Sequence, residues 1–171
     1  LVKDMTKFNP EELAGLIGVK HVDVIIGGPP CQGFSSARQY SGSNSGQRLV
    51  DDPRRDLYKF FLKFVDYFRP KVFVMENVKG LNTALVNGKP ILPEIIRDLE
   101  SAGYVLSSLV DKRVDAPASE LDYLIKSERF GVPQTRHRVI IVGRRAETRL
   151  GTIEGLIPDA KPVSVRSAIG T

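Results

Sequence analysis

Two adjacent prolines, Pro29 and Pro30, interrupt the chain directly after the apolar positions Val22, Val24, Ile25 and Ile26. Such a β-branched run predicts a short buried parallel strand over residues 22–26. Each proline fixes φ and lacks an amide donor, so the hydrogen-bonded ladder has to stop there. Gly27, Gly28 and Gly33 let the backbone turn tightly on either side of Cys31, the chain's only cysteine. The thiol is therefore expected on a rigid turn at the carboxyl end of a strand, the edge at which open α/β sheets bind ligands. Taken by itself, a lone cysteine is as well explained as a small buried hydrophobe. The surrounding GGPPCQGFSS, residues 27–36, argues against that, because core packing needs neither Pro-Pro before a cysteine nor Gln-Gly after it.

The rest of the pattern alternates helices with strands. Asn9, Pro10, Glu11 and Glu12 read as an N-cap, a proline at the first helical position and acids in the electropositive first turn, giving a helix to about Ile17. Residues 33–50 are rich in glycine and serine and lack periodicity, which predicts a long loop of the kind used as a lid or binding loop. A second helix is predicted to start at Asp52 and Pro53, with Leu57, Phe60, Phe61, Phe64, Val65 and Phe68 on one stripe, and to end at Pro70. Residues 71–75 form the next strand, which delivers Glu76, Asn77 and Val78 at its carboxyl end; strand, helix, strand implies a right-handed parallel crossover. After turns around residues 87–90, Leu92, Ile95, Ile96, Leu99 and Ala102 mark a third helix, which Gly103 caps. Strands follow at 104–110 and 139–142, separated by a polar, unpatterned stretch over 111–127. The expectation is an α/β fold, a mostly parallel sheet with helices on both faces.

Composition sets the outer bounds. With 171 residues the chain suffices for one α/β core, and 25 basic against 20 acidic residues, a net +5, is compatible with a polyanionic partner. One cysteine and two histidines permit no internal disulfide and offer no zinc constellation, which points to no metal and a reducing, intracellular compartment. No apolar run approaches the roughly 18 residues needed to cross a bilayer, and Lys3 and Asp4 interrupt the start of the chain where a signal peptide would be apolar. A chain opening on Leu1 reads as a piece of a longer protein.

Three groups converge on one edge of this sheet. Cys31 and Glu76 are each expected just past a strand end, on neighbouring strands. Glu76 alone could be a solvated acid, but Val74, Met75 and Val78 around it favour a protonated carboxyl able to donate. In QTRHR, residues 134–138, extended backbone would put Gln134, Arg136 and Arg138 on one face and Thr135 and His137 on the other. Alone, the two arginines could be a solvated edge; together with Cys31 and Glu76 they suit a carboxylate, phosphate or carbonyl oxygen. His137 points away from them and is set aside, and no histidine is placed to act as base for a thiol hydrolase.

GGPPCQGFS, the ENV of residues 76–78 and FGVPQTRHR, in that order, resemble the motifs of the cytosine-5 DNA methyltransferases, and the likeness runs from about Asp4 to Gly143. The resemblance implies a Rossmann-like methyltransferase fold, incomplete at both ends, with residues 1–145 as a partial catalytic domain. It implies a thiolate of Cys31 adding to carbon 6 of a cytosine flipped out of double-stranded DNA, so that carbon 5 attacks the methyl of S-adenosylmethionine. By the same resemblance Glu76 serves the ring nitrogen, Arg138 the carbonyl oxygen and Arg136 the support of the site. Asp4, Met5, Pro30 and Leu57 match cofactor contacts, with residues 3–5 resembling the family's adenine-binding acidic motif, and Gln32, Ser35 and Arg54 match DNA contacts. The family's glycine-rich cofactor motif is not found before Asp4. Residues 146–171 read as a connector towards an absent target-recognition region, whose usual entry VSVRSAIG resembles. Two alternatives stay open: a tRNA cytosine-5 methyltransferase, and a non-catalytic fragment completed by a partner chain.

Overall fold

A computed structural model describes residues 4–30, 57–86, 88–113, 115–159 and 161–170. The first helix, α1 (Pro10–Ile17), forms as its sequence dictates: Asn9 and Glu12 make a reciprocal capping box, and Gly18 closes the helix at φ 67°. Strand β1 (Val24–Gly27) follows and stops ahead of the prolines. Helix α2 (Leu57–Phe68) buries Phe61, Val65 and Phe68 of the predicted stripe together with Tyr58, which the stripe did not include, while Leu57, Phe60 and Phe64 are half-buried; its predicted start at Asp52 and Pro53 and the predicted loop over 33–50 lie outside the described residues. Strand β2 (Val72–Val78) lies parallel to β1, with Gly27 level with Met75, as the strand–helix–strand order requires.

A small hairpin, β3 (Leu85–Val86) and β4 (Lys89–Pro90), turns at Gly88 with φ 74°. Helix α3 (Leu92–Ser101) comes next, and Gly103 at φ 88° supplies the left-handed residue behind it. Strands β5 (Tyr104–Ser108), β6 (Leu124–Lys126) and β7 (His137–Arg145) complete the main sheet. A short helix α4 (Val165–Ile169) lies in the stretch expected as a connector.

The sheet is mixed rather than mostly parallel in its pairing. Its order is β1-β2-β7-β5, with β6 also on β7, and every pairing made by β7 is antiparallel. Strands β1, β2, β5 and β6 therefore share one direction and β7 alone is reversed. The physical reason lies in the connection: ten residues, 127–136, join β6 to β7 without an α-helix to carry the chain back, so β7 returns antiparallel. Strand β6 sits in the stretch that lacked a pattern, being too short to show alternation. It resumes the edge of β7 where β5 leaves off: β5 pairs with residues 141–145 and β6 with 137–139. At the break, the Ile140 amide donates to Tyr123 O at 2.9 Å, and the Ser108 hydroxyl donates to Asp122 O. Residues between β5 and β6 are held by Arg113, whose guanidinium pairs with Asp111 and donates to Glu120 O at 2.7 Å. That guanidinium pulls the Asp111 carboxyl down to about 2.

Alternation along β2 decides which face is core. Phe73, Met75 and Asn77 are buried, and Phe73 meets Phe61 of α2 and Tyr104 of β5 edge-on at 5.9 and 5.0 Å. Ile95, Ile96 and Leu99 of α3 join the same cluster. The opposite face carries Val24, Ile26 and Val105, 52%, 77% and 46% exposed, so among the described residues α2 and α3 pack on one side only. Gly143 lies opposite Phe73 on the buried face, where a Cβ would come within 2.1 Å of the ring. Gly143→Ala is therefore expected to destabilise the protein by about 1–3 kcal/mol through overpacking, measured by urea unfolding. Combining it with Phe73→Leu should recover part of that loss, and strictly additive losses would show that the crowding lies elsewhere.

Candidate active site

The carboxyl ends of β1 and β2 and the first residues of β7 meet at one place. Register sets this up: Gly27 pairs with Met75, so Gly28 stands level with Glu76, while Val78 pairs with Arg138 across the antiparallel ladder. Strand β2 continues through Val78, because β7 carries its ladder on after β1 has ended. Glu76 thus lies within a strand and not just past one, as the sequence suggested.

Glu76 is not a lone acid in an apolar wall either. Its Oε1 lies 2.6 Å from Arg138 Nε, with 42% of its side chain exposed and 23% of the arginine's. Met75 points to the buried face and leaves the carboxylate to its ionic partner. Arg138 Nη1 donates to the carbonyl of His137 at 2.8 Å, so two edges of the guanidinium are fixed. Gly28 lies close beneath this pair: a Cβ there would stand 3.1 Å from Glu76 Oε2, so the carboxylate would have to give way by a few tenths of an ångström. Asn77 fixes the turn itself. Although 5% exposed, it donates through Nδ2 to Pro29 O at 3.1 Å, and its Oδ1 accepts from the Val78 amide at 2.9 Å. A polar residue at a buried position of an alternating strand is the signal that could have marked Asn77 in the sequence.

Arg136 is not held beside Arg138 on one extended face, since β7 begins only at His137. Residues 132–136 fold into tight turns, with Gln134 N donating to Val132 O at 2.8 Å and Arg136 N to Gln134 O at 3.0 Å. Arg136 is exposed, and its guanidinium has no partner among the described residues. Ser127 closes this segment: its amide donates to Arg136 O at 3.1 Å, its hydroxyl to Gln134 O at 2.7 Å. His137 Nε2 meets Glu128 Oε1 at 2.8 Å. Sequence reasoning passed over both Ser127 and Glu128, whose partners lie seven and nine residues along a folded turn.

A cavity of about 350 Å³ opens beside the proline turn, lined by Met5, Leu13, Ile25, Gly28, Pro29 and Phe61 among others. Met5 is the predicted cofactor residue that faces it. Asp4, next to it, is exposed; the Thr6 hydroxyl and amide donate to its Oδ1 at 2.7 and 3.0 Å and hold its carboxyl below the usual carboxylate range. Pro30 is exposed and Leu57 half-buried at the start of α2, and neither lines the cavity. Cys31, Gln32, Ser35 and Arg54 lie outside the described residues.

The arrangement offers a carboxylate and a guanidinium side by side, directly after a turn locked by a buried amide. Asn77→Ala is expected to cost about 1–3 kcal/mol, because Pro29 O and the Val78 amide lose a buried partner, read as a shift in the urea midpoint. A change below 0.5 kcal/mol, roughly the scatter of neutral surface substitutions, would show that the turn holds without it.

Comparison with known proteins places this geometry. A profile of the C-5 cytosine-specific DNA methylase family matches residues 2–168. The type II methyltransferase M1.HphI of Haemophilus parahaemolyticus is 38% identical over 145 residues, covering 85% of this chain and 33% of that protein. M.DdeI of Desulfomicrobium norvegicum is 34% identical over 164 residues, covering 95% of this chain and 34% of that protein. In structure, a prophage-encoded protein of E. coli assigned as a DNA modification methyltransferase superposes with a TM-score of 0.66 at 26% identity, over 98% of this chain and 40% of its own. The chain spans about a third of the length of these curated relatives. With its motifs in order on a Rossmann-like α/β sheet, the chain belongs to the C-5 cytosine-specific DNA methylase family.

Proposed function

We propose that this chain carries the reaction centre of a DNA cytosine-5 methyltransferase, acting in an intracellular setting on a cytosine flipped out of duplex DNA. The observation that carries the reading is the Glu76–Arg138 pair at 2.6 Å beside the Pro29 turn. A cytosine presents a ring nitrogen and a carbonyl oxygen side by side, and a carboxyl next to a guanidinium matches that edge.

Cys31, directly after the turn, adds as thiolate to carbon 6 of the base, forming a C–S bond. The electron pair displaced from the 5,6 double bond makes carbon 5 nucleophilic and loads charge onto the ring nitrogen and carbonyl. Glu76 hydrogen-bonds the ring nitrogen, and Arg138 donates to the oxygen. Arg136 supports the site from the exposed turn. S-adenosylmethionine, when bound, would supply an electrophilic methyl on sulfonium; loss of the proton from carbon 5 and of the Cys31 thiolate from carbon 6 then restores the 5,6 double bond and frees the enzyme. The apolar cavity beside Met5 suits a flat heterocycle, and the exposed Asp4 carboxylate, next in sequence to Met5, offers an acceptor, so these residues fit the cofactor's adenosine end. Pro30 and Leu57 fall to the same cofactor by resemblance, as Gln32, Ser35 and Arg54 do to the DNA. Residues 1–145 would be the catalytic portion and 146–171 the connector to a target-recognition region. The span of a third of the relatives' length favours a centre that works together with further segments, in the same protein or from a complementing chain.

The test traps the covalent step. Incubating the protein with S-adenosylmethionine and duplex DNA containing 5-fluorocytosine should give an adduct on Cys31 by intact mass, since fluorine at carbon 5 blocks the final elimination. The same sequence as RNA should give none, Cys31→Ser should abolish the adduct, and Glu76→Ala should slow it by roughly 10²–10⁴-fold. An adduct formed on RNA alone would replace DNA with RNA as the substrate. Failure to form any adduct by a folded chain would leave a fragment that needs its complement.

A further inference from the structure

We propose that Glu128, acting through His137, is a positioning residue for the Glu76–Arg138 pair; the proposal rests on the reading of that pair as the group that holds the base. The contacts run in one line. Glu128 Oε1 meets His137 Nε2 at 2.8 Å, the carbonyl of His137 accepts Arg138 Nη1 at 2.8 Å, and Arg138 Nε meets Glu76 Oε1 at 2.6 Å. His137 is the first residue of β7, and strand alternation puts its ring on the face opposite Arg138, so Glu128 secures from behind the peptide on which the guanidinium rests.

Nothing in the strand ladder does this alone. His137 is paired on one side only, with Lys126, whereas Arg138 is paired on both. The strand end that must present Arg138 is the end least held by sheet hydrogen bonds, and the Glu128–His137 contact supplies the missing hold. Ser127, next to Glu128, binds both Gln134 and Arg136, so one three-ten turn, Ser127–Phe130, holds the QTRHR segment at Gln134, Arg136 and His137. The cost of this arrangement is visible: Glu128 Oε2 is buried without a hydrogen-bond partner among the described residues. Its carboxyl is nevertheless held below the usual carboxylate range, by its own backbone amide first and by His137 second. A charged acid kept with one oxygen unsatisfied fits a group that aims another group better than it fits a surface acid.

The experiment follows the Arg138 Nε–H resonance by ¹H–¹⁵N NMR, assigned as the arginine Nε signal lost in Arg138→Lys. Glu128→Leu should shift or broaden that signal, and Glu128→Gln, whose amide oxygen still accepts from His137, should restore it. His137→Leu breaks the same contact from the other side and serves if Glu128→Leu does not fold. In the trapping reaction, Glu128→Leu should lower the rate of adduct formation at saturating DNA by about 100-fold, the size expected from misplacing a reacting group by about 1 Å. Its affinity for the oligonucleotide should stay within twofold, and Glu128→Gln should recover most of the rate. An unmoved Arg138 signal in both leucine variants overturns the proposal, as does an adduct rate equal to wild type. If the wild-type chain forms no adduct, the chain needs its complement for the chemistry, and the positioning contact is then decided by the resonance alone.

Discussion

The antiparallel register between β2 and β7 is the constraint from which the site follows. Glu76 and Arg138 are 62 residues apart in sequence and meet because Val78 pairs with Arg138 and Glu76 with Ile140. A shift of one residue in that ladder would send Arg138 to the helix-covered face and bring His137 towards the acid. The same register places Gly143 over Phe73, so the packing of the core and the geometry of the ion pair enforce one another. Only one alignment both buries Phe73 without collision and brings the guanidinium to the carboxylate.

Much of this frame was legible in the residues. The capping box at Asn9 and Glu12, the stripe from Leu57 to Phe68 and the stop at Pro29 are local, and local chemistry carries them through unchanged. Glu76 and Arg138 were legible as candidates because their motifs put them near one sheet edge, although Glu76 lies inside its strand. Their direct pairing was not, since it depends on the reversal of β7, and nothing within the strand records which way it runs. The extended reading of QTRHR failed for a related reason: Ser127 folds 134–136 into turns by contacts made from outside the segment. Strand β6 was hidden because three residues cannot display a period of two. The nucleophile and the DNA contacts rest on motif resemblance and lie outside the described residues.

Membership of the cytosine-5 methylase family accounts for the combination of a locked proline turn, an acid and an arginine better than any one of them could. Each has an ordinary explanation as cap, solvated acid or surface charge. Their meeting, with a buried asparagine spent on the carbonyl of Pro29, is costly for a purely structural corner of a domain. The exposed apolar positions on the second face, Ile26 above all, belong to a chain that covers a third of its relatives' length.

The divided edge strand bears on how such a domain can change over time. Because β5 and β6 meet β7 end to end, the residues between them leave the sheet and return without setting its register. Insertions over 115–117, between the Arg113 anchor and the buried Ala118, would lengthen an excursion and leave β7 where it is, whereas Tyr123 is buried and its carbonyl accepts from Ile140 of β7. The segment 127–136 has no such latitude, for Ser127 binds Gln134 and Arg136 at a fixed count of residues. Length variation in this part of the molecule should therefore collect at 115–117 and be excluded from 127–136, which makes 115–117 the natural place for a tag, a tether or a grafted loop.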